Sequence, residues 1–155
     1  MRFIGNVEAR TDAKGRAFLP SVFRKVLEAS GSEKLMLRKD IFQPCLVLYP
    51  ESVWNEREDT MRSRLSKFNA RHQQIFRQYV SEAESVTLDG NGRFLIPKRC
   101  LDEAHIRQDI RFIGMDDTIE IWASETFEQT KMDSEEFGKA LEMIMGQESA
   151  LGDIY

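Results

Sequence analysis

The sequence predicts an α+β protein made of two tandem units, each with the element order β-β-α-β-β-α. The first observation behind this prediction is an internal repeat. Residues 12–20 read Asp-Ala-Lys-Gly-Arg-Ala-Phe-Leu-Pro, and residues 89–97, which begin 77 positions later, read Asp-Gly-Asn-Gly-Arg-Phe-Leu-Ile-Pro. The second is that strand-like and helix-like patterns follow each copy in the same order. A chain of 155 residues is long enough to bury a core as two small, closely packed units.

The first unit opens with a predicted compact hairpin. Residues 6–11 and 16–19 have short strand-like sequence patterns. They lie on either side of residues 12–15, whose Asp and Gly favour a turn. Pro20 has the φ angle preferred at the first position of a helix, which we expect to end at Gly31. The helix has an apolar stripe of Val22, Phe23, Val26 and Leu27. Strands over 34–38 and 45–49 follow, and then a helix that begins at Pro50 and carries Val53, Trp54, Met61 and Leu65.

The second unit repeats this order. Its predicted elements are strands over 84–88 and 93–96 around the turn 89–92, a helix beginning at Pro97, and strands over 110–114 and 118–122. Trp122 corresponds to Tyr49 at an offset of 73, so we expect a shorter loop between the last two strands. Residues 66–80 have apolar side chains at helical spacing and predict a helical connector.

The predicted division of the chain is therefore a first subdomain with connecting helices over 1–77, a second subdomain over 78–130 and a helical extension over 131–155. The extension has an amphipathic stripe of Phe137, Ala140, Leu141, Ile144 and Met145. We interpret it as a lineage-specific extension or a packing helix.

Charge divides unevenly between the halves. The net charge is −4, but residues 1–77 carry 15 Lys+Arg against 9 Asp+Glu, and residues 78–155 carry 7 against 17. This asymmetry is compatible with a basic face for nucleic acid on one unit. Cys45 and Cys100 do not suggest a disulfide framework, and no apolar run approaches the roughly 20 residues of a membrane helix. We expect a cytoplasmic protein without a membrane segment.

The repeated Asp-x-x-x-Arg motif has a physical interpretation as a nucleic-acid contact. An Asp that opens a turn can accept backbone N–H bonds and orient a guanidinium four residues later. Asp12, Gly15, Asp89 and Gly92 are therefore predicted to set the geometry of the turns. Arg16 and Arg93 would contact guanine or phosphate, Lys14 would contact phosphate, and Asn91 a base edge or phosphate.

A purely structural interpretation stays open for these residues, because Arg16 and Arg93 can be internal salt-bridge partners of Asp12 and Asp89. Duplication at matched positions favours contact with DNA, since a simple turn does not require an arginine there. Catalytic, metal and cofactor sites are not indicated. The segment 89–92 lacks a calcium-binding pattern, and the adjacent Asp116 and Asp117 are poor candidates for a hydrolase site.

Two further clusters are candidates for nucleic-acid contact. Trp54, Trp122, Tyr49 and Phe127 follow strands at corresponding places, which favours a core or subunit-interface role over base stacking. The second cluster is a set of basic residues that interleaves at its start with acidic ones, so a solvated helix face is the default interpretation. Its members are Arg57, Arg62, Arg64, Lys67, Arg71 and Arg77.

Taken together, the two Asp-x-x-x-Arg motifs, Leu-Tyr-Pro at 48–50, Trp54 and Glu-Ile-Trp at 120–122 resemble the MraZ family of bacterial transcriptional regulators over residues 1 to about 130. Arg10, Ala17 and Asn91 depart from the family pattern. The resemblance implies AbrB-like subdomains with swapped hairpins and ring-shaped homo-oligomers. It also implies binding to short direct repeats of double-stranded DNA upstream of the division and cell-wall gene cluster.

We therefore expect a nucleoid-associated DNA-binding regulator, acting as a repressor, with no catalytic activity, no cofactor and no small-molecule substrate. The alternative is a ring-forming or antitoxin-like module that binds a protein partner through the same hairpins.

Overall fold

The computed structural model describes residues 1–31 and 34–152, and for residues 148–152 it describes the backbone only. The last three residues of the predicted extension lie outside the described part. The first repeat comprises β1 (Phe3–Arg10), β2 (Arg16–Phe18), α1 (Ser21–Ala29), β3 (Lys34–Lys39), β4 (Leu46–Pro50) and α2 (Glu51–Arg64). The connector contains α3 (Ala70–Ser81).

The second repeat has the same element order, which confirms the predicted α+β class. It comprises β5 (Glu84–Thr87), β6 (Arg93–Leu95), α4 (Lys98–Glu103), β7 (Asp109–Asp116), β8 (Thr118–Ala123) and α5 (Ser124–Thr130). The chain continues into α6 (Ser134–Gly152). Across the described residues, no helix combines the length and the apolar character that a membrane crossing requires.

Prolines define the starts of three helices. Pro20, Pro50 and Pro97 occupy the N-cap positions of α1, α2 and α4 with φ between −52° and −56°. Asn69 caps α3 instead, since its side chain accepts a hydrogen bond from the His72 N–H at 3.0 Å. The helical connector predicted between the repeats is thus confirmed.

The prediction that each turn joins a local hairpin is wrong, whereas the swapped hairpins that the family resemblance implies agree with the structure. β1 does not pair with β2 but runs antiparallel to β7, with Phe3 opposite Asp116 and Arg10 opposite Asp109. β5 likewise pairs with β3 of the first repeat, and β2 pairs with β6. The partner of each strand that flanks a turn lies in the other repeat. The turns 12–15 and 89–92 therefore reverse the chain without joining two strands that pair with each other.

This exchange produces one six-stranded sheet, in the order β1-β7-β8-β4-β3-β5, and one two-stranded ribbon, β2-β6. The strands β4 and β8 meet near the centre, where Leu48 lies opposite Ile119. The two repeats are joined by continuous backbone hydrogen bonding, and β1 and β5 form the two edges of the large sheet.

The main core lies between one face of the large sheet, the ribbon, and helices α1 and α4. Phe23 and Leu27 of α1 and Cys100 of α4 are buried in it against strand residues such as Leu37 and Phe112. The opposite face of the sheet packs against α2, α3 and α5. Trp54 stacks on Tyr79 of α3 with the ring centroids 5.1 Å apart and the planes at 4°.

The second repeat is four residues shorter than the first between the turn and the last strand, and the strand registers show that not all four are lost in the loop between the last two strands. Six residues, 40–45, separate the paired Lys39 and Leu46, whereas four residues, 115–118, separate the corresponding pair Gly114 and Ile119. This loop therefore accounts for only two of the four residues. The other two are absent from the segment that runs from the start of the helix to the start of the following strand, which covers 21–33 before β3 and 98–108 before β7. Within this segment, α4 has six residues against nine in α1.

Candidate nucleic-acid interface

The carboxylate of Asp12 organises the first turn of the repeated motif. Its Oδ1 accepts hydrogen bonds from the backbone N–H groups of Lys14 and Arg16, both at 2.9 Å. Its Oδ2 accepts a hydrogen bond from Nε of Arg16 at 2.7 Å. The Gly15 N–H also donates to the Asp12 carbonyl at 3.0 Å. One aspartate thus fixes the turn and directs the arginine side chain.

The second turn has the same arrangement. Asp89 accepts hydrogen bonds from the backbone N–H groups of Asn91 at 2.8 Å and Arg93 at 2.9 Å, and from Nε of Arg93 at 3.0 Å. The Gly92 N–H donates to the Asp89 carbonyl at 3.0 Å. The geometry of the two turns is shared although their tips differ in sequence.

Hydrogen bonding lowers the pKa of both carboxyl groups below the ordinary value of 3.8. The largest cause at Asp12 is the backbone N–H of Arg16, and at Asp89 it is the backbone N–H of Arg93. These bonds favour the charged form of each carboxyl group. Both aspartates are therefore carboxylates at neutral pH and hold their arginines by charge-assisted hydrogen bonds.

The two turns are also linked to each other. The Leu19 N–H donates to the Gly92 carbonyl at 2.9 Å, and the Ile96 N–H donates to the Gly15 carbonyl at 3.0 Å. Between these bonds, Ala17 of β2 lies opposite Phe94 of β6. The turns and the ribbon consequently form one hydrogen-bonded unit, with a contribution from each repeat.

The ribbon has an apolar inner face and a mixed outer face. Ala17 and Phe94 are buried in the core. Side chains alternate along a strand, so Arg16 and Phe18 from β2 and Arg93 and Leu95 from β6 lie on the other face. Arg16 is opposite Leu95, and Arg93 is opposite Phe18. The two arginines are thus diagonal neighbours, for which roughly 7–8 Å separates the residues.

Part of each guanidinium on this face is available to a ligand. Only Nε of Arg16 and of Arg93 is bonded to its aspartate, and the Nη groups of both make no hydrogen bond within the described residues. The Arg93 guanidinium also lies over the Phe18 ring, 5.8 Å from its centroid. Phe18 and Leu95 remain 58% and 54% exposed. The face therefore offers two oriented donor groups beside two apolar side chains.

Lys14 and Asn91 occupy equivalent tips of the turns, and both are exposed. Their backbone N–H groups bond to Asp12 and Asp89, so the tips are fixed while the side chains extend into solvent. The structure places all eight residues singled out from the sequence on these two turns and the adjoining strands.

One basic residue near this surface was not found from the sequence. Nη1 of Arg24, on α1, reaches the Asn91 carbonyl of the second turn at 3.5 Å. Its counterpart at the 77-residue offset is Leu101 on α4, which lies beside Gly15 of the first turn. Each helix thus covers the turn of the other repeat. No local pattern signals this position of Arg24, because it follows from the strand exchange.

The remaining clusters are accounted for by other contacts. The Tyr49 and Trp54 rings meet edge to face at 5.2 Å, as do those of Trp122 and Phe127 at 5.9 Å. This packing agrees with a structural role for the aromatic residues. Asp116 pairs with Arg2 at 3.9 Å, and Asp117 pairs with Arg57 at 3.0 Å. The two adjacent aspartates therefore have separate partners.

Comparison with known protein sequences places both repeats in one family. Residues 2–78 and 79–145 each match the family described as MraZ protein, "antitoxin-like". The chain belongs to the MraZ family. It is 63% identical over 146 residues to a protein of Phocaeicola vulgatus named Transcriptional regulator MraZ, covering 94% of this chain and 95% of that protein.

Other MraZ relatives extend the comparison. A protein of Bacteroides thetaiotaomicron with the same name is 61% identical, covering 96% of each chain. One of Christiangramia forsetii is 33% identical, again covering 96% of each. The match to the MraZ family continues to residue 145. The expectation that the resemblance ends near residue 130 is therefore wrong, and most of α6 belongs to the family sequence.

Proposed function

We propose that this protein is a DNA-binding regulator of transcription whose reading surface is the outer face of the β2-β6 ribbon with its two turns. The observation that carries the proposal is the pair of Arg16 and Arg93, each oriented by its own aspartate on one exposed face. The name Transcriptional regulator MraZ carried by its relatives supports the proposal.

A two-stranded ribbon has dimensions that suit the major groove of B-DNA. There, the Nη groups of Arg16 and Arg93 would donate to guanine O6 and N7, while Phe18 and Leu95 would contact apolar groups such as the thymine methyl. Lys14 would neutralise a phosphate, and Asn91 would bond to a base edge or a phosphate. Because each repeat contributes one strand, the ribbon proposed to contact DNA depends on the folding of both repeats.

We further propose that the protein acts as a repressor, in the form of a ring-shaped homo-oligomer, on short direct repeats upstream of the division and cell-wall gene cluster. Several ribbons on one assembly would bind adjacent repeats with avidity, since every contact after the first is intramolecular. This function places the protein in the cytoplasm, associated with the nucleoid. The DNA responds to the local charge of the ribbon because salt screens charges farther than about 8 Å away.

Arginine substitutions with a matched control test the proposal. Arg16→Ala and Arg93→Ala should each weaken binding to a selected genomic fragment roughly 10- to 100-fold, as expected for loss of a bidentate base contact. Arg2→Ala removes an exposed arginine at the far end of β1 and should leave binding unchanged. Gel-shift titrations against specific and scrambled DNA give both affinities.

The variants Arg16→Lys and Arg93→Lys separate base reading from phosphate contact. Lysine keeps the charge but lacks the planar fork, so loss of sequence preference with retained general affinity is expected. If all arginine variants keep full discrimination between the two DNAs, the ribbon is not the reading surface.

The competing function is recognition of a protein partner through the same turns. The affinity for DNA should fall steeply with salt, because neutralised phosphates release counterions. A response that is flat with salt, together with a protein retained by the immobilised chain after nuclease treatment, would favour the alternative.

A further inference from the structure

A recess lies between the C-terminal end of α2 and the N-terminal turn of α3, on the side of the large sheet away from the ribbon. It has a volume of about 260 Å³, and no Asp or Glu is among the described residues that line it. The larger cavity beside β4 is lined by Asp40, Asp117 and Glu120 as well as by arginines. The charge of its lining therefore distinguishes the recess and favours an anionic ligand.

Three basic residues line the recess, and two of them have no acidic partner. Within the described residues, Lys67 and Arg77 form no ion pair, and their side chains make no hydrogen bond. Arg62 differs, because it pairs with Glu58 and Asp59, each at 3.2 Å. Neither of these two acids lines the recess. Lys67 and Arg77 are therefore two positive charges open to a ligand.

Neutral hydrogen-bond donors add to the two cations. Nδ1 of His72 accepts the Ser66 N–H at 2.9 Å, so the ring carries its proton on Nε2. Oγ of Ser66 accepts the Phe68 N–H at 3.2 Å, which leaves the Ser66 O–H available as a donor. Neither the His72 Nε2–H nor this O–H donates to another described residue. The recess thus combines two charged and two neutral donors.

The backbone around these donors is held by hydrogen bonds. Asn69 caps α3 through the His72 N–H, and the Gln73 side-chain amide donates to the Lys67 carbonyl. His72 and Gln73 also place the first turn of α3 beside the recess, where the helix dipole favours negative charge. A turn that is ordered before the ligand arrives loses less conformational entropy on binding than a free loop does.

The recess also has an apolar part. Leu65 and Phe76 line it, and both are partly buried. Small-molecule sites combine such apolar walls with a few polar groups that fix the orientation of the ligand. They commonly have volumes of roughly 300–1,000 Å³, so this recess is at the small end. Its dimensions suit one anionic group with a substituent about the size of a single ring.

The donors and charges favour a phosphate monoester over other anions. At neutral pH this group carries about −1.5 to −2 charges and has three oxygens that accept hydrogen bonds, which matches the two open cations and two neutral donors. A carboxylate or a sulfate monoester carries a single charge and would leave one cation unmatched. Duplex DNA also has a single charge per phosphate, and its stacked bases cannot reach the apolar wall.

We propose that the recess between α2 and α3 binds a small phosphate monoester with an aromatic or apolar substituent. Lys67 and Arg77 contact the phosphate group, the neutral donors complete its hydrogen bonds, and the substituent packs on Phe76. This inference goes beyond the proposed function, because the ligand is a small molecule and its site is separate from the ribbon.

Three simple ligands separate charge from apolar contact in calorimetric titrations of the full chain without DNA. Phenyl phosphate is expected to bind. Phenyl sulfate has the same shape but a single charge, and methyl phosphate lacks the ring, so each should bind at least about 10-fold more weakly. Inorganic phosphate should compete with phenyl phosphate. Equal affinities for phenyl phosphate and phenyl sulfate would contradict the inference.

Glutamine substitutions test the two cations. Lys67→Gln and Arg77→Gln should each weaken the binding of phenyl phosphate roughly 10-fold or more, as expected for loss of a charge-assisted hydrogen bond. Arg71→Gln is the matched control, because Arg71 is an exposed arginine of α3 that does not line the recess. This control should bind as the wild type does. Melting temperatures establish that the variants are folded.

A measurement on the wild type keeps the inference testable if a variant fails to fold. Addition of phenyl phosphate should shift the amide NMR signals of Ser66 and Lys67, while those of the ribbon residues Arg16 and Arg93 stay in place. Shifts confined to the ribbon would overturn the assignment of the site, because they would place the phosphate at the surface proposed for DNA.

The remaining outcomes separate this inference from the proposed function. A wild-type chain that takes up no phenyl phosphate at millimolar concentration overturns the inference. Equal losses in Arg71→Gln and Lys67→Gln also overturn it, since they indicate general attraction by the basic helix. If Lys67→Gln weakens DNA binding while no phenyl phosphate binds, the cluster is a second nucleic-acid contact instead. None of these results bears on the ribbon, which the Arg16 and Arg93 variants test with DNA.

Discussion

At the scale of single residues, each turn depends on one carboxylate and one glycine. Asp12 satisfies two backbone N–H groups and the Arg16 guanidinium, and Gly15 allows the chain to turn with φ of +88°. Gly92 has the equivalent φ of +81° in the second turn. Residues other than glycine are strained at such positive φ angles because their Cβ atom crowds the backbone. The motif is therefore a unit in which Asp, Gly and Arg have distinct physical roles.

Substitution of the first turn glycine should destabilise the fold. A Cβ at Gly15 would be 3.0 Å from the Ile96 carbonyl oxygen, in addition to the positive φ. We expect Gly15→Ala to lower the free energy of unfolding by about 1–3 kcal/mol in urea titrations. The matched control is Gly90→Ala, at a position with open space around it and no positive φ. Equal effects of the two variants would contradict this account of the turn.

Glu120 makes a separate contribution that depends on pH. Burial raises the pKa of its carboxyl group above the ordinary value of 4.5, and the Trp122 Nε1–H donates to it at 2.9 Å. The folded state thus holds the proton more tightly than the unfolded state. The wild type should lose stability as the pH rises from about 4.5 through the raised pKa of the folded protein.

Glu120→Gln removes this titration and retains an oxygen that can accept the Trp122 hydrogen bond. The variant should gain in melting temperature relative to the wild type across this pH window, and the gain should be constant above it and vanish below pH 4. The exposed Glu56→Gln serves as the control. A difference between Glu120→Gln and wild type that does not vary with pH would show that the carboxyl group does not titrate as proposed.

At the scale of elements, the decisive feature is that the two short strands of the repeated motif pair with each other. β2 and β6 each contain only three residues, and neither has a partner within its own repeat. Their inner residues Ala17 and Phe94 attach the ribbon to the core, where Phe94 meets Phe112 with the ring centroids 6.3 Å apart. The orientation of the arginines on the outer face therefore depends on packing on the inner face.

Removal of the inner aromatic ring should uncouple the ribbon from the core. Phe94 is buried and Leu95, next to it, is exposed. Phe94→Ala is expected to cost about 3–5 kcal/mol of the free energy of unfolding, as for other buried aromatic residues, whereas Leu95→Ala should cost well under 1 kcal/mol. Chemical denaturation followed by circular dichroism measures both. A similar loss for the two variants would mean that the ribbon is not anchored through its inner face.

At the scale of the whole molecule, the exchange of strands makes the two repeats interdependent. The first repeat supplies β3 as the partner of β5, and the second supplies β7 as the partner of β1.

A chain divided between Glu82 and Ala83 should accordingly fold only when both parts are present. Each part alone loses the partners of at least two strands, and each carries one tryptophan, Trp54 or Trp122, that is buried in the intact fold. We expect little structure by circular dichroism for either part, and a shift of tryptophan fluorescence when they are mixed. Cooperative unfolding of one isolated part would contradict the interdependence.

Local features of this fold follow from the sequence, whereas the pairing of distant segments does not. Asp12, Gly15 and Pro20 act on their immediate neighbours, so the turn and the following helix were predictable, as was the element order of both repeats. The pairing of β1 with β7 was not, because alternation within a strand identifies its faces but not its partner. Arg24 was missed for the same reason, since its position over the second turn depends on that pairing.

The sequence by itself determined the elements, their duplication and the presence of an arginine at the same place in each repeat. These features depend on backbone preferences and hydrogen bonds within a few residues. Only the tertiary structure decided that the two arginines lie on one ribbon and that Arg24 lies over the turn of the other repeat. Those features arise from contacts between distant segments, whose choice depends on how the whole chain buries its apolar surface.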